Sequence, residues 1–112
     1  MHEFSIATAL LELVKQHAPA GTTVRKVVME AGPLQSVDPQ AMEWAWQAVS
    51  DGTMYAGAEL EVRVLPWRLR CRDCGREHVA DDMLSPCPCG CQVCHPTGGD
   101  ELRLVSLTVD EP

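Results

Sequence analysis

An α+β fold is predicted for this chain: two helices packed on a small three-stranded sheet, with a cysteine-rich insertion before the last strand. Three observations carry the prediction. Apolar residues recur at helical spacing in two segments and at strand spacing in others, and all six cysteines crowd between Cys71 and Cys94. The apolar pattern stops where the cysteines begin and resumes after them. The cysteine segment therefore reads as an excursion from one sheet.

Residues 3–17 read as an amphipathic helix. Ile6, Leu10, Leu13, Val14 and His17 share a face, and Ala7, Ala9 and Leu11 are strong helix formers. On that apolar face His17 is expected to be a satisfied core histidine rather than a ligand. Pro19-Ala20-Gly21 ends the helix. Residues 22–30 are rich in β-branched side chains and read as a strand, stopped by Ala31-Gly32-Pro33. Asp38-Pro39 opens the second helix, with Asp38 as N-cap and Pro39 at the first helical position, where its missing N–H costs nothing. Met42, Ala45, Trp46 and Val49 form the buried stripe of this helix. Trp44 and Trp46 cannot face the same way, so one is expected in the core and the other outside.

Residues 59–65 alternate, with Leu60, Val62 and Val64 on one side and Glu59, Glu61 and Arg63 on the other. Pro66-Trp67 breaks the pattern at an expected domain boundary. This divides the chain into a domain of residues 1–66 plus 99–112 and a second of residues 67–98. From about Leu69 to Gly98 the composition turns to Cys, Gly, Pro and Asp, too little apolar surface to fold by burial alone. The last strand, residues 102–109, is expected to place Val105, Leu107 and Val109 on one side.

With 112 residues and 12.3 kDa, the chain has room for a small core plus a metal-stapled lobe. A net charge of −7 repels phosphate backbones, so nucleic acid is not an expected partner. No apolar run approaches the roughly 18 residues of a membrane span. Neither a basic n-region nor a cleavage-site pattern suggests secretion. The cysteines cluster like metal ligands rather than spreading like disulfide staples, so the expected compartment is the reducing cytoplasm.

Cys71-Arg72-Asp73-Cys74-Gly75 is half of a zinc knuckle, two thiolates across a tight turn. The segment from Cys87 to Cys94 offers four thiols for two remaining places. Cys87 and Cys89 have the flanking Pro and Gly of a knuckle but sit one residue too close, whereas Cys91 and Cys94 have CxxC spacing. A closed tetrahedral thiolate site would be structural, making the insertion zinc-ribbon-like, and could contribute on the order of 10 kcal/mol to folding it. His78 and His95 are further candidate ligands, with solvated loop residues as the plainer reading.

The chain begins Met1-His2-Glu3. His2 is too bulky a second residue for ordinary methionine removal, so Met1 is expected to stay. A terminal amine, the following backbone nitrogens and an imidazole can close on one ion, and nitrogen-rich planar coordination suits Ni(II) and Cu(II). No nucleophile is paired with a base at recognisable spacing, and no enzyme activity is expected.

The whole chain resembles the HypA/HybF family of nickel-insertion accessory proteins for [NiFe] hydrogenase. The resemblance runs through Met1-His2-Glu3-Phe4-Ser5-Ile6-Ala7, Val27-Val28-Met29-Glu30-Ala31-Gly32 and Val37-Asp38-Pro39. It continues through Gly57-Ala58-Glu59-Leu60, the Cys71/Cys74 pair and Gly99-Asp100-Glu101-Leu102-Arg103. It implies a nickel metallochaperone that binds Ni(II) as cargo through the Met1 amine, the His2 ring and the backbone nitrogens of His2 and Glu3. Asp38 is a candidate oxygen ligand besides being an N-cap. The resemblance also implies structural zinc in the insertion, cooperation with a HypB-type GTPase, and delivery of nickel to the hydrogenase large subunit. Some members also serve urease maturation. The expected assembly is a monomer or weak homodimer. The usual second knuckle of the family is Cys-Pro-x-Cys-Gly, and here one residue is missing. Position favours Cys87 and Cys89 as the zinc pair, with Cys91 and Cys94 as the alternative. The competing function is a zinc-ribbon adaptor that docks a partner through the sheet or the Trp44/Trp46 helix and transfers no nickel.

Overall fold

The computed structural model describes residues 2–111. Helix α1 spans His2–His17, strand β1 Thr23–Ala31, a short 3-10 turn Pro33–Gln35, helix α2 Pro39–Ser50 and strand β2 Glu59–Val64. Three short strands follow within the cysteine-rich segment: β3 (Trp67–Cys71), β4 (Glu77–Ala80) and β5 (Cys94–Pro96). Strand β6, Leu102–Asp110, ends the fold. The expected two helices and three-stranded sheet are both present. The sheet has the order β2-β1-β6, with β1 parallel to β2 and antiparallel to β6.

Both helices cover one face of this sheet. Ile6, Ala7, Leu10, Leu11 and Val14 from α1 pack with Met42, Ala45 and Trp46 from α2 over Val24, Val27, Met29 and Ala31 of β1. Met29, Met42 and Trp46 are almost wholly buried, and each such side chain contributes about 1.5–3 kcal/mol relative to exposure. Trp46 also needs an acceptor for its indole N–H and finds the Ala58 carbonyl at 3.0 Å. Trp44 faces away at 63% exposure, so the two indoles divide as their spacing requires. Asp38 caps α2 through Oδ1, which accepts from the amides of Gln40 (2.9 Å) and Ala41 (3.5 Å). On the other face of the sheet Glu61 pairs with Lys26 (2.9 Å) and Arg63 (2.6 Å). These half-exposed pairs lower the Glu61 pKa, Lys26 first and Arg63 second, and contribute little to stability.

Three details depart from the pattern-based reading. His17 is exposed, with its Nδ1 2.8 Å from the Leu13 carbonyl in the last turn of α1, and Ala18 packs on the core instead. The buried stripe of a 3.6-residue helix had drifted past His17, whose ring is better used at the orphan carbonyls of the helix end. Val105 is exposed because the β1–β6 register shifts between Val28 and Met29, opposite Ser106 and Leu104. The extra residue of this bulge turns Val105 outward, so Leu104 joins Leu107 and Val109 against the core. Val64 is half exposed where β2 runs on into the insertion.

The cysteine-rich segment has its own three-stranded antiparallel sheet, β4-β3-β5. Leu69 is buried at its centre. The chain leaves the first sheet at Leu65, whose amide donates to the Ala31 carbonyl (2.9 Å), and re-enters at Glu101, whose carbonyl accepts the Gly32 amide (2.8 Å). Exit and return therefore meet at the end of β1. A Cβ on Gly32 would lie 2.2 Å from the Gly99 carbonyl oxygen and 2.3 Å from Glu101 Oε1. Gly32→Ala must push backbone as well as side chain, and is expected to destabilise the chain by about 2 kcal/mol. Urea unfolding at an unchanged midpoint would contradict this.

Candidate metal centres

The first centre is built by two turns. β3 ends at Cys71, and the chain reverses through Cys74 and Gly75, whose φ of 73° needs no Cβ penalty and whose amide donates to the Cys71 carbonyl (3.1 Å). The amides of Asp73 (3.4 Å) and Cys74 (3.5 Å) point at the Cys71 sulfur. The second turn repeats the device in a shorter loop. The Gly90 amide donates to the Cys87 carbonyl (2.8 Å), and the Cys89 amide approaches the Cys87 sulfur at 3.5 Å. Missing one residue, the pair still turns back on itself.

The structure brings Cys71, Cys74, Cys87 and Cys89 together, with all four sulfurs within 4.8 Å of one another. Cys71 and Cys89 are 3.6 Å apart, as are Cys74 and Cys87. Zinc–sulfur bonds of about 2.3 Å at tetrahedral angles separate sulfurs by about 3.8 Å, so the cluster fits that ion. Cys91 and Cys94 lie outside this group, though close by: Cys94 faces Cys71 across β3 and β5, and the Cys91 carbonyl accepts the Cys87 amide (2.9 Å).

The thiols do not titrate alike. The Cys74 amide, helped by that of Asp73 and by neighbouring thiols, outweighs burial and lowers the Cys71 pKa to about 6. At Cys87 the Cys89 amide pulls downward, but burial and the thiols of Cys89, Cys74 and Cys71 prevail and push it up to about 12. For Cys91 the downward pull of the Val93 amide loses to burial, the Asp73 carboxylate and the Cys71 thiol. Burial is the largest influence raising Cys94. Packed sulfurs share little negative charge until a cation supplies the balance.

His78 and His95 lie on strands rather than in loops, on β4 and β5. His95 is exposed. His78 is half-buried and both of its ring nitrogens lack a hydrogen-bond partner among the described residues. It lines a 390 Å³ cavity with Cys74, Cys87 and Cys89.

The second centre lies at the front of α1. The expected amine ligand belongs to Met1, outside the described residues. His2 begins the helix and is exposed, and its Nε2 meets the backbone carbonyl of Gln35. The amides of His2 and Glu3 belong to the first helical turn, where no intrahelical acceptor exists. Glu3 accepts the Asp38 amide at 3.2 Å, the largest influence lowering its carboxyl pKa. That bond brings Asp38 beside the terminus while its carboxylate caps α2. The contacts made by Gln35 and by the Glu3 carboxylate had no signal in the sequence, since they join residues more than thirty positions apart.

A family model described as "Hydrogenase/urease nickel incorporation, metallochaperone, hypA" matches residues 1–109. The chain belongs to this family. It is 34% identical over 113 residues to the hydrogenase maturation factor HypA of Dechloromonas aromatica (strain RCB), covering 98% of this chain and 100% of that one. The corresponding factor of Rhodopseudomonas palustris (strain TIE-1) is 35% identical over 113 residues, with the same coverage. In fold, the chain is similar to the solution structure of the Ni metallochaperone HypA from Helicobacter pylori. Their TM-score is 0.66 at 23% identity, over 100% of both chains. A solution structure of a HypA protein gives 0.65 at 25% identity over 96% of this chain and 94% of the other. Family members are named as maturation factors and metallochaperones rather than for a catalysed reaction. No helix among the described residues is long and apolar enough to cross a membrane.

A protonated Cys87 must lose its proton to become a ligand. Zinc added to reduced, metal-free protein at neutral pH is therefore expected to displace protons, and its affinity to fall on acidification. Calorimetry in buffers of different ionisation enthalpy reads the protons released, and zero release would overturn the assignment. Replacing Cys87 and Cys89 together by serine is expected to abolish stoichiometric zinc, while replacing Cys91 and Cys94 leaves it. The reverse result would move the site to the second pair.

Proposed function

We propose that this chain binds Ni(II) at its amino terminus and hands it to the large subunit of [NiFe] hydrogenase during maturation. The ligands are the Met1 amine, the His2 ring, and the backbone nitrogens of His2 and Glu3, with the Asp38 carboxylate as a further oxygen ligand. The observation that carries the reading is the placement of His2. In a chain matched by the nickel-incorporation family over residues 1–109, it is exposed at the start of α1 and beside the loop that holds Asp38.

Cys71, Cys74, Cys87 and Cys89 hold a structural zinc ion. Its charge would balance four thiolates and close the insertion on itself, leaving no open position for cargo. The division of labour follows the domains: residues 1–66 with 99–112 carry nickel, and residues 67–98 carry zinc. A HypB-type GTPase and the hydrogenase large subunit are the partners, with urease maturation proteins as further recipients, and the protein works in the cytoplasm. Transfer requires only that ligands exchange, so no covalent chemistry and no catalytic residue are needed. A site of few nitrogen and oxygen ligands at the exposed front of a helix suits a releasable ion better than a closed thiolate cage. The adaptor reading has one observation in its favour, the 63% exposure of Trp44, an aromatic side chain open to solvent on α2.

His2→Ala is expected to abolish nickel binding and leave zinc content unchanged, measured by metal analysis of untagged protein. An extension blocking the terminal amine should do the same. Nickel held at wild-type affinity in either form would refute the terminal site, and undiminished hydrogenase maturation with a blocked terminus would favour the adaptor. Because the amine and the imidazole must be unprotonated, and the backbone amides must give up their protons to solvent, nickel affinity is expected to fall on mild acidification. A flat affinity across the histidine titration range would count against these ligands.

A further inference from the structure

The contact between His2 and Gln35 constrains which ring nitrogen can reach a metal. A carbonyl oxygen only accepts hydrogen bonds, so the Nε2 facing the Gln35 carbonyl must carry the ring proton. The neutral ring then presents its lone pair at Nδ1. Nδ1 is also the nitrogen that closes a six-membered chelate ring with the backbone nitrogen of the same residue, whereas Nε2 lies on the far side of the imidazole. A ligating histidine is oriented by what its other nitrogen donates to, and a backbone carbonyl is a common acceptor in that role.

The carbonyl is itself held. Gln35 is the last residue of the 3-10 turn, where a carbonyl has no partner within the turn. Its amide donates to the Gly32 carbonyl (3.0 Å), and its side-chain Nε2 donates to the Asp100 carbonyl (2.7 Å). The Leu34 amide donates to the Gly99 carbonyl at 2.8 Å, tying the same turn to the segment that leads into β6. Ser36, immediately after, sits in the left-handed region at φ 52° and ψ 41°, a non-glycine conformation that persists only where its surroundings enforce it. The turn is thus braced on three sides and aimed at the front of α1.

We infer that Gln35 is a positioning residue for nickel: its carbonyl locks the His2 ring in the Nε2–H tautomer, and its side chain holds that carbonyl in place through Asp100. The inference rests on the terminal nickel site proposed above, and it adds what sets that site in order before the ion arrives.

The test uses full-length, untagged, zinc-loaded protein with nitrogen-labelled histidine at mildly alkaline pH. In the wild type the two His2 ring nitrogens are expected at the limiting shifts of a single Nε2–H tautomer. Gln35→Ala, which cuts the tie to Asp100, is expected to give averaged shifts and about tenfold weaker Ni(II) binding. Gln35→Lys keeps a donor for the Asp100 carbonyl and is expected to recover most of the loss. Averaged shifts in the wild type overturn the inference, as do unchanged shifts and affinity in Gln35→Ala. Should His2→Ala retain nickel at wild-type affinity, the terminal site itself fails, an outcome read separately from the ring spectrum.

Discussion

The structure hangs on one crowded point, the end of β1 at Ala31 and Gly32. Ala31 accepts the amide of Leu65 as the chain leaves the sheet, and Gly32 donates to Glu101 as it comes back. Backbone from three distant segments converges there, close enough that a methyl group on Gly32 has nowhere to go. The same point fixes the 3-10 turn, through Leu34 and Gly99, and the turn in turn meets His2. Arg68 of β3 reaches Glu101 at 2.9 Å, so the inner strand of the cysteine-rich sheet is tied to the junction as well. The insertion is therefore not a loose appendage on a finished core. Its two ends help to complete the sheet from which it grows.

The two candidate centres use opposite chemistry, and the local folding shows why. The thiolate cluster sits in a segment with few apolar side chains, where short strands and tight turns leave closing to the sulfurs. Amides aimed at Cys71, and burial acting on Cys87, give neighbouring thiols very different proton affinities. Such a set gains most from a resident cation that neutralises it. The front of α1 has the reverse character. It is exposed, its helix is anchored by apolar side chains packed on the sheet, and its first amides lack internal acceptors.

Where pattern reading went astray, the cause is a packing detail that periodicity does not contain. His17 has the right spacing for the core stripe, but a real helix drifts against a fixed repeat, and the end of α1 offered its ring a carbonyl instead. Val105 alternates correctly with Leu107 and Val109, but one bulged residue between Leu104 and Ser106 reverses the phase of the strand before it. The second sheet escaped notice because its strands are only three to five residues long and largely exposed. His78 looked like a loop residue for the same reason, and its unpartnered ring nitrogens came to light only in three dimensions.

The sequence by itself determined the layout: two amphipathic helices, the strands of one sheet, the Asp38 cap, and a cluster of thiols set apart from the core. These are local or periodic properties, written in spacing and side-chain type. It also determined the family, because the terminal motif and the knuckles occur together along nearly the whole length. Position in the sequence favoured Cys87 and Cys89 over Cys91 and Cys94, and tertiary structure brings that first pair to Cys71 and Cys74. Tertiary structure alone decided that the His2 ring faces the Gln35 carbonyl. Each of these depends on how separate elements dock, and docking is settled by the whole set of contacts at once rather than by any stretch of chain.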